Sequence, residues 1–129
     1  MTRNIFVLGL ADFQLRQLQS IRGADELRFH PLLDKRDVAH AHGRYDMPAL
    51  LSEGIATLES FDGSVDGIVG FWDFPTSALL PLLRRSFELS GPSLEQVLRC
   101  EHKHWSRKLQ REAIGSDHVP ACVPVDPFA

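Results

Sequence analysis

The sequence of 129 residues has only two cysteines, Cys100 and Cys122, which excludes a small protein held together by several disulfide bonds. It also lacks any apolar stretch near the ~20 residues that a membrane-spanning helix requires. The first apolar run soon reaches Asp12, so it is too short for a secretory signal and has no small-residue cleavage site. These absences predict a cytoplasmic, reduced protein that does not enter a membrane.

An excess of positive charge is missing as well. The chain carries 14 lysines and arginines against 17 acidic residues, for a net charge of -3 at pH 7. Without a general cationic surface to collect phosphates, nucleic-acid partners are disfavoured. The hydrophobic fraction of 43% and the charged fraction of 24% are those of an ordinary soluble domain with a substantial core.

Segments typical of strands alternate along the chain with segments typical of helices. Residues 5–10 and 65–72 are continuous β-prone runs, as expected of strands buried on both faces. A further strand over residues 27–33 contains Pro31, whose missing amide donor predicts an edge position. The order β-α-β-α-β-α-α predicts an α/β fold: a small, open, mostly parallel sheet flanked by helices, Rossmann-like in topology.

Ligands of open parallel sheets bind beyond the carboxyl ends of the strands, where Gly9, Asp12, Asp73 and Phe74 are expected. The first turn has one glycine instead of the three of a dinucleotide site, and the carboxylate of Asp12 would repel a phosphate. Asp12 is therefore interpreted mainly as a helix N-cap and Gly9 as the residue of a tight turn. Asp73 fits two roles equally well, binding a substrate amine or hydroxyl and capping the next helix.

A polar stretch over residues 34–46 includes His40 and His42. Loops of this length often carry function, although a solvated connector is the simpler interpretation. The sequence leaves the roles of His40, His42 and Cys100 open.

Ser93 and Gln96 form a capping box that begins a helix, and the helical pattern predicts its continuation to about Ile114. Lys103 lies at four-residue spacing from arginines on either side, which predicts a basic ridge on this helix. Such a ridge suits an anion such as a nucleotide phosphate, although a solvated face is the more common meaning. The arginines of the ridge are Arg99, Arg107 and Arg111.

The cysteines and histidines near the C-terminus give only weak signals for a metal or a nucleophile. Cys100 and His104 are four residues apart, but a zinc site would need Cys122 or His118 to join them, so no metal site is predicted. Nucleophilic catalysis is also disfavoured, because the pattern gives neither cysteine a clear base.

Three features then follow the alternating pattern in a fixed order: the Gly91-Pro92-Ser93 turn, His102-Lys103 opening an amphipathic helix, and Val119-Pro120. Over residues 4–128 this order resembles the N-terminal, pre-ATP-grasp part of ATP-grasp ligases, with the biotin-carboxylase-like and carboxylate–amine ligase branch nearest. The resemblance implies a pre-ATP-grasp domain over residues 1–114 and the start of the ATP-grasp domain over residues 115–129. It also implies that Lys103 contacts ATP and that Asp73 helps to line the substrate cleft.

The chain departs from the family pattern at His102, where an aspartate is common, and in the longer turn before Val119. The family's magnesium ligands and phosphate-covering loop lie further along than Ala129. The resemblance therefore implies an inactive fragment of an ATP- and magnesium-dependent ligase that activates a carboxylate as an acyl phosphate. Its partners would be the remainder of the polypeptide and the carboxylate, and its exposed apolar surface would allow a homodimer.

Two other interpretations stay open at this point. The chain could be a self-contained, non-enzymatic α/β module that binds a small anion or a protein partner. A receiver-like domain with a phosphorylated aspartate is less well supported, because Asp12 and Asp73 alone make too small an acidic cluster.

Overall fold

The computed structural model describes residues 1–39 and 44–126 and shows an α/β fold. Three parallel strands form an open sheet in the order β2-β1-β3, with bounds β1 Arg3–Leu8, β2 Leu27–Leu32 and β3 Gly67–Gly70. The α-helices in the described part of the chain are α1 (Asp12–Gln19), α2 (Lys35–Val38), α3 (Met47–Glu59), α4 (Thr76–Ser86), α5 (Leu94–Glu101) and α6 (Lys103–Ile114). The predicted class, a small Rossmann-like α/β fold, is confirmed.

The chain divides into two compact units, Met1–Gly91 and Pro92–Ala129. The sheet and α1 to α4 belong to the first unit, and α5 and α6 belong to the second. The assignment of residues 115–129 to the start of a further domain stays a prediction. Within residues 1–39 and 44–126, every helix is too short or too polar to cross a bilayer.

β1 is the central strand of the sheet. It pairs in parallel with β2 and β3, with Leu8 opposite Leu32 on one side and Gly70 on the other. Parallel pairing on both sides agrees with its continuous apolar sequence, because such strands are covered on both faces. β2 lies at the edge, as Pro31 predicts, since a residue without an amide donor is tolerated where no further strand needs that donor.

The main core lies on the face of the sheet that carries α3 and α4. α4 packs on β3 and α3 packs on α4, and their apolar side chains close over β1 and β2. The fully or almost fully buried members of this core are Phe6, Leu8, Leu32, Val38, Leu58, Ile68, Leu79 and Leu83. Burial of several such side chains, each worth ~1.5–3 kcal/mol, fixes the positions of the strand ends.

Two local predictions are wrong in detail. Ala11, not Asp12, is the N-cap of α1, and the backbone N–H of Ala11 donates to the Gln14 side chain at 3.0 Å. Asp12 is the first residue of the helix, where a carboxylate is still favourable to the helix dipole. The third strand covers Gly67–Gly70 and not residues 65–72, because the chain leaves the sheet before Phe71.

Asp66 joins the beginnings of β1 and β3. Its carboxylate accepts hydrogen bonds from the Asn4 N–H at 2.7 Å and from the Ser64 hydroxyl at 2.8 Å, while its own N–H donates to the Asn4 carbonyl. The Asn4 N–H contributes most and the Ser64 hydroxyl next to holding the pKa of the Asp66 carboxyl below its ordinary value of 3.8. The charged form of Asp66 is therefore the one that stabilises this end of the sheet.

We predict that Asp66→Asn destabilises the protein at neutral pH and that the difference from the unmodified protein shrinks in acid. The folded pKa is the lower one, so the stabilisation is complete above about pH 5 and is lost as the pH falls through the folded value. Urea unfolding at a series of pH values measures the difference. Asp62→Asn is the matched control, since Asp62 has no hydrogen bond to any described residue. A difference that does not change with pH would contradict the prediction.

Candidate functional site

The carboxyl ends of β1 and β3 meet at one edge of the sheet, and Gly9 and Trp72 lie together there. The Trp72 indole N–H donates to the Gly9 carbonyl at 2.8 Å, and the Gly9 N–H donates to the Leu32 carbonyl at 3.0 Å. Gly9 is buried and has a φ of 59°, in the left-handed region. Both backbone polar groups of Gly9 are therefore engaged, and this turn binds Trp72 in place of offering bare backbone to a phosphate.

Lys35 and Phe13 surround the indole of Trp72. The Lys35 Nζ lies 5.3 Å from the ring centroid, within cation–π range, and the Phe13 ring approaches edge-on at 6.4 Å between centroids. Lys35 makes no ion pair with any residue that the structure describes. Neither Trp72 nor Lys35 is among the residues predicted from the sequence, although each lies two or three residues after the end of a strand, where ligands of open parallel sheets bind.

Asp73 and Phe74 follow Trp72 and are both exposed. The Asp73 carboxylate accepts a hydrogen bond from the Phe74 N–H at 3.0 Å, and Pro75, not Asp73, occupies the N-cap position of α4. The Phe74 ring packs edge-on against Tyr45 at 5.7 Å. The N-cap position of α4 is therefore not that of Asp73, and Asp73 lies at the surface of the sheet edge.

An apolar groove of about 440 Å³ lies between α1 and the chain that leaves β3. Phe13 and Phe71 are each about half exposed in it, and the buried Gln14 and the exposed Gln17 contribute polar side chains to its lining. Asp12, the first residue of α1, is exposed next to Phe13 in sequence. The four predicted cleft residues Gly9, Asp12, Asp73 and Phe74 thus all follow the ends of β1 and β3, with Gly9 buried and the other three exposed.

The second unit places Lys103 at the start of a helix. The predicted capping box is confirmed: the Ser93 hydroxyl accepts from the Gln96 N–H at 3.2 Å, and the Gln96 side chain accepts from the Ser93 N–H at 2.8 Å. The prediction of one helix up to Ile114 is wrong, because the backbone is extended at His102. The His102 imidazole Nδ1 accepts from the Trp105 N–H at 3.3 Å, which caps a new helix that begins at Lys103.

Because α5 ends before His102 and α6 begins after it, the four basic residues do not lie on one helix as the predicted ridge requires. Arg99 lies on α5, where it pairs with Glu95 at 2.6 Å, and Arg111 on α6 donates to the Pro120 carbonyl at 2.7 Å. Arg107 donates to the Gln110 side chain at 2.8 Å. Lys103 is exposed and makes no hydrogen bond or ion pair with the residues described in 1–39 and 44–126. Each of the three arginines thus bonds to a nearby group of the chain. Of the four basic residues, Lys103 is the one that is available to a ligand.

The two cysteines have different surroundings. The Cys122 Sγ lies 3.8 Å from the His104 Nδ1, whereas Cys100 is exposed on α5. The expectation that neither cysteine has a base nearby is wrong for Cys122. No group of three or more metal-ligating side chains occurs among the described residues, and His40 and His42 lie outside them.

Comparison with known proteins found no family model that matches this chain, and no curated protein or solved structure with significant similarity to it.

We predict that Gly9→Ala destabilises the first unit more than Gly23→Ala does. Both glycines have a left-handed φ, 59° and 85°, so alanine strains the backbone at either position by about 1 kcal/mol. A Cβ at Gly9 would lie 2.6 Å from Val38 and 3.1 Å from Trp72, whereas nothing lies within 4 Å of one at Gly23. The overpacking should cost Gly9→Ala about 1–3 kcal/mol more in the free energy of unfolding, measured in urea. Equal losses for the two variants would show that Val38 and Trp72 do not pack closely on the turn.

Proposed function

We propose that this chain is the N-terminal, pre-ATP-grasp region of a cytoplasmic, ATP- and magnesium-dependent ligase of the biotin-carboxylase-like type. The complete enzyme activates a carboxylate as an acyl phosphate, and this region contributes part of the substrate cleft and one contact to ATP. The observation that supports this most directly is the position of Lys103, exposed and without a protein partner among the described residues, at the first residue of α6.

The surroundings of Lys103 suit a phosphate group. The N-terminus of a helix carries a partial positive charge, and α6 has no acidic residue in its first turn to oppose an anion. A lysine ammonium adds a full positive charge on a flexible stem, which is how lysine contacts nucleotide phosphates. The free lysine and the helix terminus therefore act in the same direction on a bound nucleotide.

The sheet edge supplies the second part of the proposal, a surface for the carboxylate substrate. Lys35 offers a cation for the carboxylate, and the exposed carboxylate of Asp73 can accept a hydrogen bond from a substrate amine or hydroxyl. The exposed ring of Phe74 adds apolar surface next to Asp73. The described residues include no cluster of side chains fit for magnesium, so the magnesium ligands would come from the remainder of the polypeptide.

We expect Lys103→Ala in the full-length protein to weaken the binding of ATP about tenfold or more. A charge-assisted hydrogen bond contributes about 1.5–3 kcal/mol, and 1.4 kcal/mol is a tenfold change in Kd. Calorimetric titration with ATP and magnesium measures the affinity, and carboxylate-dependent release of ADP measures the activity. Lys108→Ala is the matched control, since it removes the same charge from an exposed position on the same helix.

Two results would contradict this proposal. An affinity for ATP that is the same in Lys103→Ala and Lys108→Ala would remove Lys103 from the nucleotide site. Full-length protein that releases no ADP with any carboxylate would contradict the assignment as a ligase. The alternative of a self-contained binding module gains support if the reading frame stops after the codon for Ala129.

A further inference from the structure

A thiol–imidazole pair in the second unit lies outside the proposed nucleotide contact. The Cys122 Sγ and the His104 Nδ1 are 3.8 Å apart, a separation at which a thiol can donate its proton to the ring nitrogen. Both side chains are partly buried. The thiolate is the nucleophilic form of cysteine. A neighbouring imidazole activates a thiol because it can accept the thiol proton.

Two hydrogen bonds hold the residues just before Cys122 in place. Val119 is buried, and its N–H donates to the Ser116 carbonyl at 3.2 Å. The guanidinium of Arg111, on the last turn of α6, donates to the Pro120 carbonyl at 2.7 Å. These two contacts hold Val119 and Pro120 near the end of α6, so the proximity of Cys122 to His104 follows from the fold of this unit.

We propose that Cys122 is a modification site for α,β-unsaturated carbonyl compounds, with His104 as the base that activates it. The sulfur forms a bond to the β-carbon while the carbon–carbon π bond breaks. The thiol proton, held meanwhile on the imidazole of His104, ends on the α-carbon. This addition needs no oxidant and releases no leaving group. It does not depend on the proposed ligase function.

The test compares the two cysteines within one protein. The chain is treated at pH 7 with less than one equivalent of N-ethylmaleimide, itself an α,β-unsaturated carbonyl compound, and the labelled peptides are quantified by mass spectrometry. Cys100 is the internal control, because it is the more exposed thiol and has no hydrogen bond to the described residues. We expect Cys122 to react about threefold faster or more, because the imidazole of His104 lies within reach of its proton whereas Cys100 has no such base among the described residues. In concentrated urea the two rates should become equal.

Variants then assign the difference to His104. His104→Gln keeps a polar side chain but removes the base, and the rate at Cys122 should fall to that of Cys100 or below. His118→Gln removes an exposed histidine from the same unit and should leave the preference unchanged. Slower labelling of Cys122 than of Cys100 in the unmodified protein would overturn the proposal without any variant. An undiminished preference in His104→Gln would overturn it as well.

Discussion

The parallel pairing of β1 with a strand on each side is the constraint on which the first unit depends. Both neighbours run in the same direction as β1, so Leu8 and Gly70 end side by side and the turns that follow them emerge at one edge. The core under Leu8, Leu32 and Leu79 holds this register, because a slip of one residue would move the buried side chains of a strand to the opposite face. The position of this edge is therefore set by core packing that lies away from it.

The chemistry of that edge follows from the indole of Trp72. In a Rossmann-type nucleotide site, glycines leave the first turn bare so that a pyrophosphate can approach the backbone. Here the carbonyl of Gly9 is occupied by Trp72, and the space over Gly9 is filled by Trp72 and Val38. A ligand at this edge would therefore meet side chains such as those of Asp73 and Lys35 in place of bare backbone. Gly9 and Trp72 therefore act together, because the indole binds the carbonyl and fills the space that a nucleotide site leaves open.

Features that depend on a residue and its near neighbours could be predicted from the sequence. Pro31 marks an edge strand because of its own missing donor, and the capping box at Ser93 closes within four residues. The break at His102 was missed because its cap uses an imidazole, a less common acceptor than the side chains on which helix-start rules rely. The contact of Trp72 with Gly9 spans 63 positions, and no local pattern contains information about such a partner. The sequence therefore predicts that these residues follow the strand ends, but it does not predict their contacts.

The helix break matters most for the electrostatics around Lys103. In the interior of one long helix, this lysine would be an ordinary solvated residue with little influence from the helix dipole. As the first residue of α6 it faces the positive end of that dipole, which opposes folding by ~0.3–1 kcal/mol. Residues that violate a local rule without compensation tend to mark functional positions. A bound anion would be attracted both to the lysine and to the positive end of the dipole, and these two attractions would offset the repulsion between them.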